Sequence, residues 1–208
     1  PVIPALAVLD NYNRANANTL GGQWRQLIAL ANAGIRVNGN QAFCVNNGIP
    51  AVLCAVGANA YWAGGNINNT FGASQAAAFT FANATVNNNA LILKANGTYN
   101  AAIGTYQSHI RVQYNNGNVT VATSTNFIGY TTAGTINTGG NLVNGNRLTA
   151  RVDNTGKVFV WKTVGAITTY LGTVTLPNNA LWTTGVGKAG IQLASGARVD
   201  NFAAGNAP

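Results

Sequence analysis

Few residues in this 208-residue chain could carry acid–base chemistry. It has no glutamate, and its only acidic side chains are Asp10, Asp153 and Asp200. Cleavage of a glycosidic bond usually needs two carboxylates, roughly 5–5.5 Å apart or roughly 6.5–9.5 Å apart. Asp153 falls in a hairpin turn, and no acidic pair lies on one strand face. The sequence therefore predicts no catalytic carboxylates.

A serine-type triad is equally hard to assemble. His109 is the only histidine, and Ser108 directly precedes it. Neighbouring residues on a strand point to opposite faces, so these two side chains should not meet. No Gly-x-Ser-x-Gly turn is present either. We predict that His109 is a strand residue, exposed or hydrogen-bonded, and that the protein is not an enzyme.

The two cysteines, Cys44 and Cys54, flank a segment whose Asn46-Asn47-Gly48 favours a turn. Two short antiparallel strands could then place the thiols opposite each other, and a disulfide would stabilise the fold by about 2–3 kcal/mol. The alternative is two buried, reduced thiols. A zinc site needs four ligands, which two cysteines and one histidine do not supply.

Aromatic side chains near loops could bind a glycan without catalysis, through ring stacking and amide hydrogen bonds. The candidates are Tyr61 and Trp62, which precede Ala63-Gly64-Gly65, and Tyr99, which follows Asn96-Gly97. A core position is the alternative for each of them. Core or sheet packing is the prediction for the other large aromatics, Trp24, Phe159, Trp161 and Trp182.

The composition describes a polar surface with little charge. Charged residues make up 7% of the chain, against about 25% in ordinary globular proteins, and there are 32 asparagines. Such a surface has little long-range repulsion and little side-chain entropy to lose on contact. We expect self-association and contacts with other proteins, although a biased genome composition would give the same numbers.

Two kinds of partner are disfavoured. The net charge of +8 arises from missing acids rather than abundant bases, and the eleven lysines and arginines are scattered along the chain. Specific nucleic-acid binding usually needs a basic cluster, so none is expected. No apolar run reaches the roughly 18–20 residues of a membrane span, so membrane insertion is not expected either.

The elements that must position these residues are mostly strands. Short β-rich runs alternate with Asn/Gly turns, and two hairpins stand out, at 109–123 around Asn116-Gly117 and at 147–163 around Asp153. The one candidate helix is 23–33, ended by Gly34. Further strands are predicted at 8–12, 52–61, 75–81, 90–95, 168–176, 189–193 and 198–203. About a dozen strands with hairpin connections predict one all-β domain over 1–208, an antiparallel two-sheet jelly-roll sandwich.

The two ends of the chain carry a resemblance. The opening 9–16 (LDNYNRAN) with 20–24 (LGGQW), and the close 190–193 (GIQL) with 198–202 (RVDNF), resemble concanavalin A-like (laminin-G-like) jelly-roll domains. Residues 148–162 resemble that family's central hairpin, so the similarity spans nearly the whole chain.

These motifs specify the fold better than the activity, because the fold hosts lectins, hydrolases and inert spacers. The resemblance implies that Asp10, Asn11 and Trp24 are structural. Some members of the family hold calcium through an aspartate, which makes Asp10 and Asp200 weak calcium candidates; no other cofactor is implied.

Members of this family occur in tailed-phage virions and on bacterial surfaces. The chain opens Pro1-Val2-Ile3-Pro4, which fits a trimmed initiator methionine or an already processed export product. The first favours synthesis in a host cytoplasm and assembly into a virion; the second favours an extracellular or cell-surface location. The sequence thus predicts a non-catalytic virion structural protein in multiple copies, such as a capsid decoration, head fibre or tail appendage. The alternatives are a carbohydrate-binding lectin-like module and a bacterial surface filament subunit.

Overall fold

The computed structural model describes residues 1–45, 51–66 and 68–208. In these ranges strands dominate and one short helix, α1 (Ala51–Ala55), is present. The strands in chain order are β1 (Val8–Asp10), β2 (Trp24–Gln26), β3 (Ile28–Ala29), β4 (Asn32–Ala33), β5 (Ile35–Val37), β6 (Ala42–Cys44), β7 (Ala58–Trp62), β8 (Gln75–Phe81), β9 (Asn89–Asn100), β10 (Thr105–Asn115), β11 (Asn118–Ser124), β12 (Thr131–Asn137), β13 (Arg147–Val152), β14 (Lys157–Val164), β15 (Ile167–Thr175), β16 (Lys188–Leu193) and β17 (Arg198–Asn206).

The strands of the described residues form two large antiparallel sheets. One has eight strands in the order β15-β14-β13-β8-β17-β6-β5, with β1 also paired to β17. The other has seven strands in the order β12-β11-β10-β9-β16-β7-β2. A small third sheet pairs β3 with β4. This arrangement confirms the predicted all-β, two-sheet jelly roll.

Alternation along each strand explains why the two sheets pack face to face. In β13, Leu148, Ala150 and Val152 are fully buried and belong to the core between the sheets. The intervening Arg147 and Arg151 point to the opposite face, as the sequence pattern predicts. The core extends from Tyr12 to Ala204 along the chain.

The two predicted hairpins form, but they lie in different sheets. β10 and β11 pair across the Asn116-Gly117 turn in the seven-stranded sheet, whereas β13 and β14 pair in the eight-stranded sheet. Asn116 and Gly117 both have positive φ, 44° and 75°, as a type I′ turn requires. The Asn46-Asn47-Gly48 turn lies outside the described residues.

Two element predictions are wrong. Residues 23–33 form β2, β3 and β4 rather than a helix, because Trp24 pairs with Trp62 of β7 and makes β2 the edge strand of its sheet. Leu30 and Ala31 then adopt positive φ (50° and 62°), which turns β3 tightly back onto β4. The strand predicted at 52–61 begins only at Ala58, and α1 precedes it.

The chain ends meet as neighbouring strands. Val8 pairs with Ala203 and Asp10 with Phe202, so β1 lies beside β17. The triplets Asp10-Asn11-Tyr12 and Asp200-Asn201-Phe202 are similar, which predicts neighbouring strands at the two chain ends, and the pairing confirms that prediction. In the part of the chain that the structure describes, no helix is long and apolar enough to cross a membrane.

Candidate functional site

The Asp10 carboxylate is occupied by hydrogen-bond donors from its own neighbourhood. Its Oδ1 accepts from the backbone N–H of Tyr12 (2.8 Å) and from Arg14 Nη1 (2.6 Å). Its Oδ2 accepts from Arg14 Nη2 (3.0 Å) and from Trp24 Nε1 (2.7 Å). Calcium requires several oxygens with free lone pairs, so Asp10 does not fit a calcium site. Its surroundings support the structural role that the family resemblance implies.

The other two aspartates also accept hydrogen bonds from backbone N–H groups. Asp153 Oδ1 accepts from the N–H groups of Thr155 (2.8 Å) and Lys157 (2.9 Å), which closes the β13–β14 hairpin. Burial would raise the pKa of Asp153, but these hydrogen bonds outweigh it and lower the pKa. Asp200 accepts from the N–H of Asn201 (2.7 Å), and burial raises its pKa. Within the described residues, no three acidic, histidine or cysteine side chains group as metal ligands.

His109 is fully buried and neutral. Its Nδ1 lies 3.2 Å from the Tyr106 carbonyl oxygen and its Nε2 lies 2.8 Å from the Tyr130 hydroxyl. The carbonyl can only accept, so Nδ1 carries the proton and Nε2 accepts from Tyr130. Burial lowers the pKa of His109 to about 4, because the charged form loses its hydration. Of the two alternatives for this residue, the hydrogen-bonded strand position is the one observed.

Cys44 and Cys54 form a disulfide, with Cα atoms 5.9 Å apart. Cys54 lies in α1 rather than on a strand, so the pairing arises differently from the predicted pair of short strands. The bond fixes α1 to the end of β6, and α1 in turn borders the seven-stranded sheet.

The structure separates the three aromatic candidates. Trp62 points towards the core side of its sheet, where its ring meets Trp24 edge to face (5.4 Å between centroids). Tyr61 points to the outer face but is 0% exposed, so it is not available as a glycan-binding ring and the buried alternative is the one observed. Its hydroxyl bonds to Thr105 Oγ1 (2.8 Å), because the β9–β10 hairpin folds over it. Only Tyr99 is both on this face and partly exposed, and Tyr61 lies directly beneath it (6.4 Å between centroids).

The outer face is the side of the seven-stranded sheet that faces away from the core. One row of residues crosses it from β10 to β2 by successive pairing: Arg111, Ile92, Gly190, Tyr61 and Arg25. Gly190 cannot carry a side chain, because a Cβ there would collide with the Ala60 carbonyl of β7. The row therefore has an arginine at each end and an apolar centre.

Arg25 holds one end of the outer face together with tyrosines. Its guanidinium carbon lies 3.8 Å from the centroid of the Tyr99 ring, and its Nη1 donates to the Tyr106 hydroxyl (2.9 Å). Burial raises the pKa of Tyr99 to about 12, so its hydroxyl is protonated at neutral pH. The Tyr99 hydroxyl has no hydrogen-bond partner among the described residues. Arg25 thus holds a half-buried ring whose hydroxyl oxygen is buried without a hydrogen-bond partner in the described part of the chain.

Tyr130 covers the other end. Its ring lies on the Arg111 guanidinium, with 3.6 Å between guanidinium carbon and ring centroid. Burial raises the pKa of Tyr130, and Arg111 and a hydrogen bond with Gln192 oppose that rise only in part. Tyr130 is half-buried, so one part of its ring remains available to a ligand.

A second row on the outer face consists of amides. Gln113, Gln192 and Asn59 follow one another from β10 through β16 to β7, with only Ala90 of β9 between the first two. Asn59 Nδ2 donates to Thr105 Oγ1 (3.2 Å), while its Oδ1 has no partner among the described residues. Gln192 is buried and bonds with Tyr130, so Gln113 and Asn59 are the partly exposed amides of this row.

Two cavities continue this row. One, of about 230 Å³, lies between Gln113 and Gln192 on one side and Gly57 at the end of α1 on the other. The second, of about 160 Å³, is more apolar and is bounded by Asn59, Leu27 and Ile103. The outer face therefore has aromatic rings, amides and adjoining recesses. These are features of a binding site for a polar, uncharged ring such as a sugar.

Sequence reasoning missed most of these residues. The alternation of Ile110, Val112 and Tyr114 already indicated that Arg111 and Gln113 share the face opposite the core. Nothing in the sequence indicated that Tyr130, from an irregular loop, folds across that face.

No profile of a known protein family matches the chain, and no curated protein matches its sequence. Solved structures do share its fold. A legume lectin-like domain from Entamoeba histolytica has a TM-score of 0.51 at 13% identity, covering 89% of this chain and 91% of that one. A galectin-like protein of unknown function from Bacillus subtilis has a TM-score of 0.55 at 12% identity, with 88% and 89% covered. Porphyranase B from Zobellia galactanivorans has a TM-score of 0.56 at 10% identity, with 96% and 91% covered.

Identities this low establish the fold alone, which a lectin-like domain and porphyranase B both have. The strand order, the pairing of the chain ends and these structural neighbours agree with the family resemblance of the sequence. The chain therefore has the concanavalin A-like jelly-roll fold.

Proposed function

We propose that this protein is a carbohydrate-binding, lectin-like module that binds its glycan on the outer face of the seven-stranded sheet. The observation that carries the proposal is the pairing of two half-buried rings, Tyr99 and Tyr130, with the row of amides formed by Gln113, Gln192 and Asn59. Ring faces pack against the C–H groups of sugars, and amides satisfy the hydroxyls. The lectin-like structural neighbour supports this reading.

We further propose that binding is not followed by cleavage. Porphyranase B shows that the fold can carry catalysis, but this chain has only three side-chain carboxylates. Asp10 is bound to Arg14 and Trp24, and Asp153 closes a hairpin in the other sheet. None of the strands of the outer face contains an acid. Paired carboxylates on that face, as glycosidases use, are therefore lacking in the sequence itself.

The test is a glycan array probed with the intact protein and with two variants. Tyr130→Ala removes a ring of the proposed site and should abolish or strongly reduce binding. Tyr170→Ala is the matched control, because Tyr170 is 40% exposed on the eight-stranded sheet. Equal loss in both variants, or no glycan bound by the intact protein at concentrations up to about 1 mM, would contradict the proposal.

A second candidate function, a virion structural protein in multiple copies, is favoured by a different observation. β12 and β15 each pair on one side only within the described residues, and neither contains a charged side chain. Neutral edge strands readily accept a further strand. Mass spectrometry of purified virions tests this candidate function directly, and absence of the protein from the particles would contradict it.

A further inference from the structure

The acidic and basic side chains are divided unequally between the two sheets. Asp10 and Asp200 lie in the eight-stranded sheet, and Asp153 lies in the turn between two of its strands. The seven strands of the other sheet contain no acid but carry four bases, Arg25, Lys94, Arg111 and Lys188. The outer face therefore presents positive charge with no negative side chain from its own strands.

Most basic side chains of this protein are already committed to the backbone. Within the described residues, eight of the eleven donate to a main-chain oxygen: Arg14, Arg36, Lys94, Arg147, Arg151, Lys162, Lys188 and Arg198. The described structure gives no such bond for Arg25, Arg111 or Lys157. Two of these three lie on the outer face, and Lys157 lies in the eight-stranded sheet.

The two arginines are held in place without being neutralised. Arg25 stacks on Tyr99 and Arg111 on Tyr130, at 3.8 and 3.6 Å from guanidinium carbon to ring centroid. Stacking uses the face of a guanidinium and leaves its in-plane N–H donors for another group. A planar fork of donors is suited to a carboxylate or a sulfate.

The spacing of the arginines fits an extended ligand. They stand at the two ends of the row through Ile92, Gly190 and Tyr61, four strand steps apart. At roughly 4.8 Å per step, their Cα atoms are about 19 Å apart. Ile92, Gly190 and Tyr61 are buried, so a chain molecule lying across the strands would contact the side chains that cover this row and would meet an arginine at each end.

We propose that the ligand of the outer face is an anionic glycan, in which acidic groups spaced along the chain bind Arg25 and Arg111. This inference rests on the proposed carbohydrate-binding function and adds the class of glycan. Carboxylate and sulfate groups share the chemistry that the two guanidinium groups recognise.

The test compares polysaccharides that differ only in charge, by isothermal titration calorimetry at about 50 mM salt. One pair is polygalacturonate and its methyl ester; the other is a sulfated galactan and the same galactan after desulfation. We expect at least one acidic member to bind about tenfold or more tightly than its neutral partner, since charge-assisted hydrogen bonds are lost in the ester or the desulfated chain. The preferred pair identifies carboxylate or sulfate as the group bound.

The outcomes separate this inference from the function on which it rests. Equal binding of acidic and neutral members would overturn the anionic glycan and leave the lectin-like function standing. No binding of any polysaccharide here and none on the array would overturn both. Duplex DNA bound as tightly as the acidic polysaccharide would also overturn the inference, because charge alone would then explain binding.

Variants test the two arginines. Arg25→Gln and Arg111→Gln should each weaken binding of the acidic polysaccharide about tenfold while affecting a neutral one less. Lys157→Gln removes the same charge from the other sheet and should change affinity less than twofold. A similar loss in all three variants would show that only net charge matters and would contradict the proposal. Thermal unfolding of each variant confirms that the fold is retained.

Discussion

His109 shows how burial, aided by the nearby charge of Arg111, sets the chemistry of a residue. The pKa of a free histidine is near 6.5, and burial between Tyr106 and Tyr130 lowers the pKa of His109 to about 4. The imidazole thus stays neutral through the range in which histidine usually titrates. A neutral ring that accepts from the Tyr130 hydroxyl keeps Tyr130 positioned on the outer face.

This gives a prediction for stability against pH. Between pH 6.5 and 4 the unfolded chain takes up a proton at His109 that the folded chain refuses, so the free energy of unfolding falls as the pH falls. The loss attributable to His109 should be about 3 kcal/mol at pH 4 relative to pH 7.5. Urea titrations of the intact protein and of His109→Gln measure it, because the variant lacks this titration but keeps those of Asp153 and Asp200. Parallel pH profiles would show that His109 is accessible to protons in the folded state.

At the scale of elements, the faces of the strands decide what a side chain contributes. Ile191 of β16 is fully buried between the sheets. Trp161 of β14 is also buried, at 2% exposure, but it pairs with Thr149 on the face away from the core. Its ring lies beside Phe159 and Tyr170 instead. The two aromatic layers, one on each sheet's outer surface, are thus distinct from the core.

Truncation of these two residues should destabilise the protein for different reasons. Ile191→Ala leaves an enclosed cavity and should cost about 2–5 kcal/mol. Trp161→Ala removes a large ring from a site that water can enter afterwards, so its cost should lie near the lower end of about 3–5 kcal/mol. Denaturant titration measures both, with Ile167→Ala, at a position 72% exposed, as a control expected to stay within about 0.5 kcal/mol. A cost below about 1 kcal/mol for Ile191→Ala would mean that the strand faces are assigned the wrong way round.

For the whole molecule, the position of the free edges matters most. β12 and β15 end the two sheets on the same side of the sandwich, where Gly134 faces Val174 and Gly172 faces Ile136. Proteins commonly protect such edges with lysine or proline, and neither residue occurs in these two strands. Ile167 and Tyr170 of β15 are moreover exposed. This side is therefore the best candidate for contact between copies of the chain.

Self-association through that side should be insensitive to salt. Sedimentation at rising protein concentration should reveal oligomers that change little between about 50 and 500 mM salt, since no charge lies in the paired strands. Thr169→Lys places a charge on the exposed edge of β15 and should shift the equilibrium to monomer. Asn178→Lys adds the same charge in an exposed loop and should not. Monomers at every concentration, or equal effects of both lysines, would rule out the edge as an interface.

Part of the structure was determined by the sequence directly. The period-two alternation in 109–123 and 147–163, with Asn-Gly and Asp-x-x-Gly turns, is a local property of the chain, so the hairpins and their inward residues could be predicted. The same alternation placed Arg111 and Gln113 away from the core. The similar triplets at the chain ends also indicated that the two ends pair, because a shared pattern of residue types is visible in the sequence alone.

Other features were decided only by the tertiary structure. The local pattern of residues 23–33 predicts a helix, but in the fold Trp24 pairs with Trp62 of the neighbouring strand. Long-range pairing of this kind overrides local propensity. Tyr61 and Tyr99 both lie near glycine-containing turns in the sequence. In the fold, the β9–β10 hairpin buries Tyr61 and leaves Tyr99 partly exposed. Tyr130 joins the outer face from an irregular loop. Such a site depends on which strands become neighbours, and the order of strands in a sheet is set by the packing of the whole core, which no local pattern encodes.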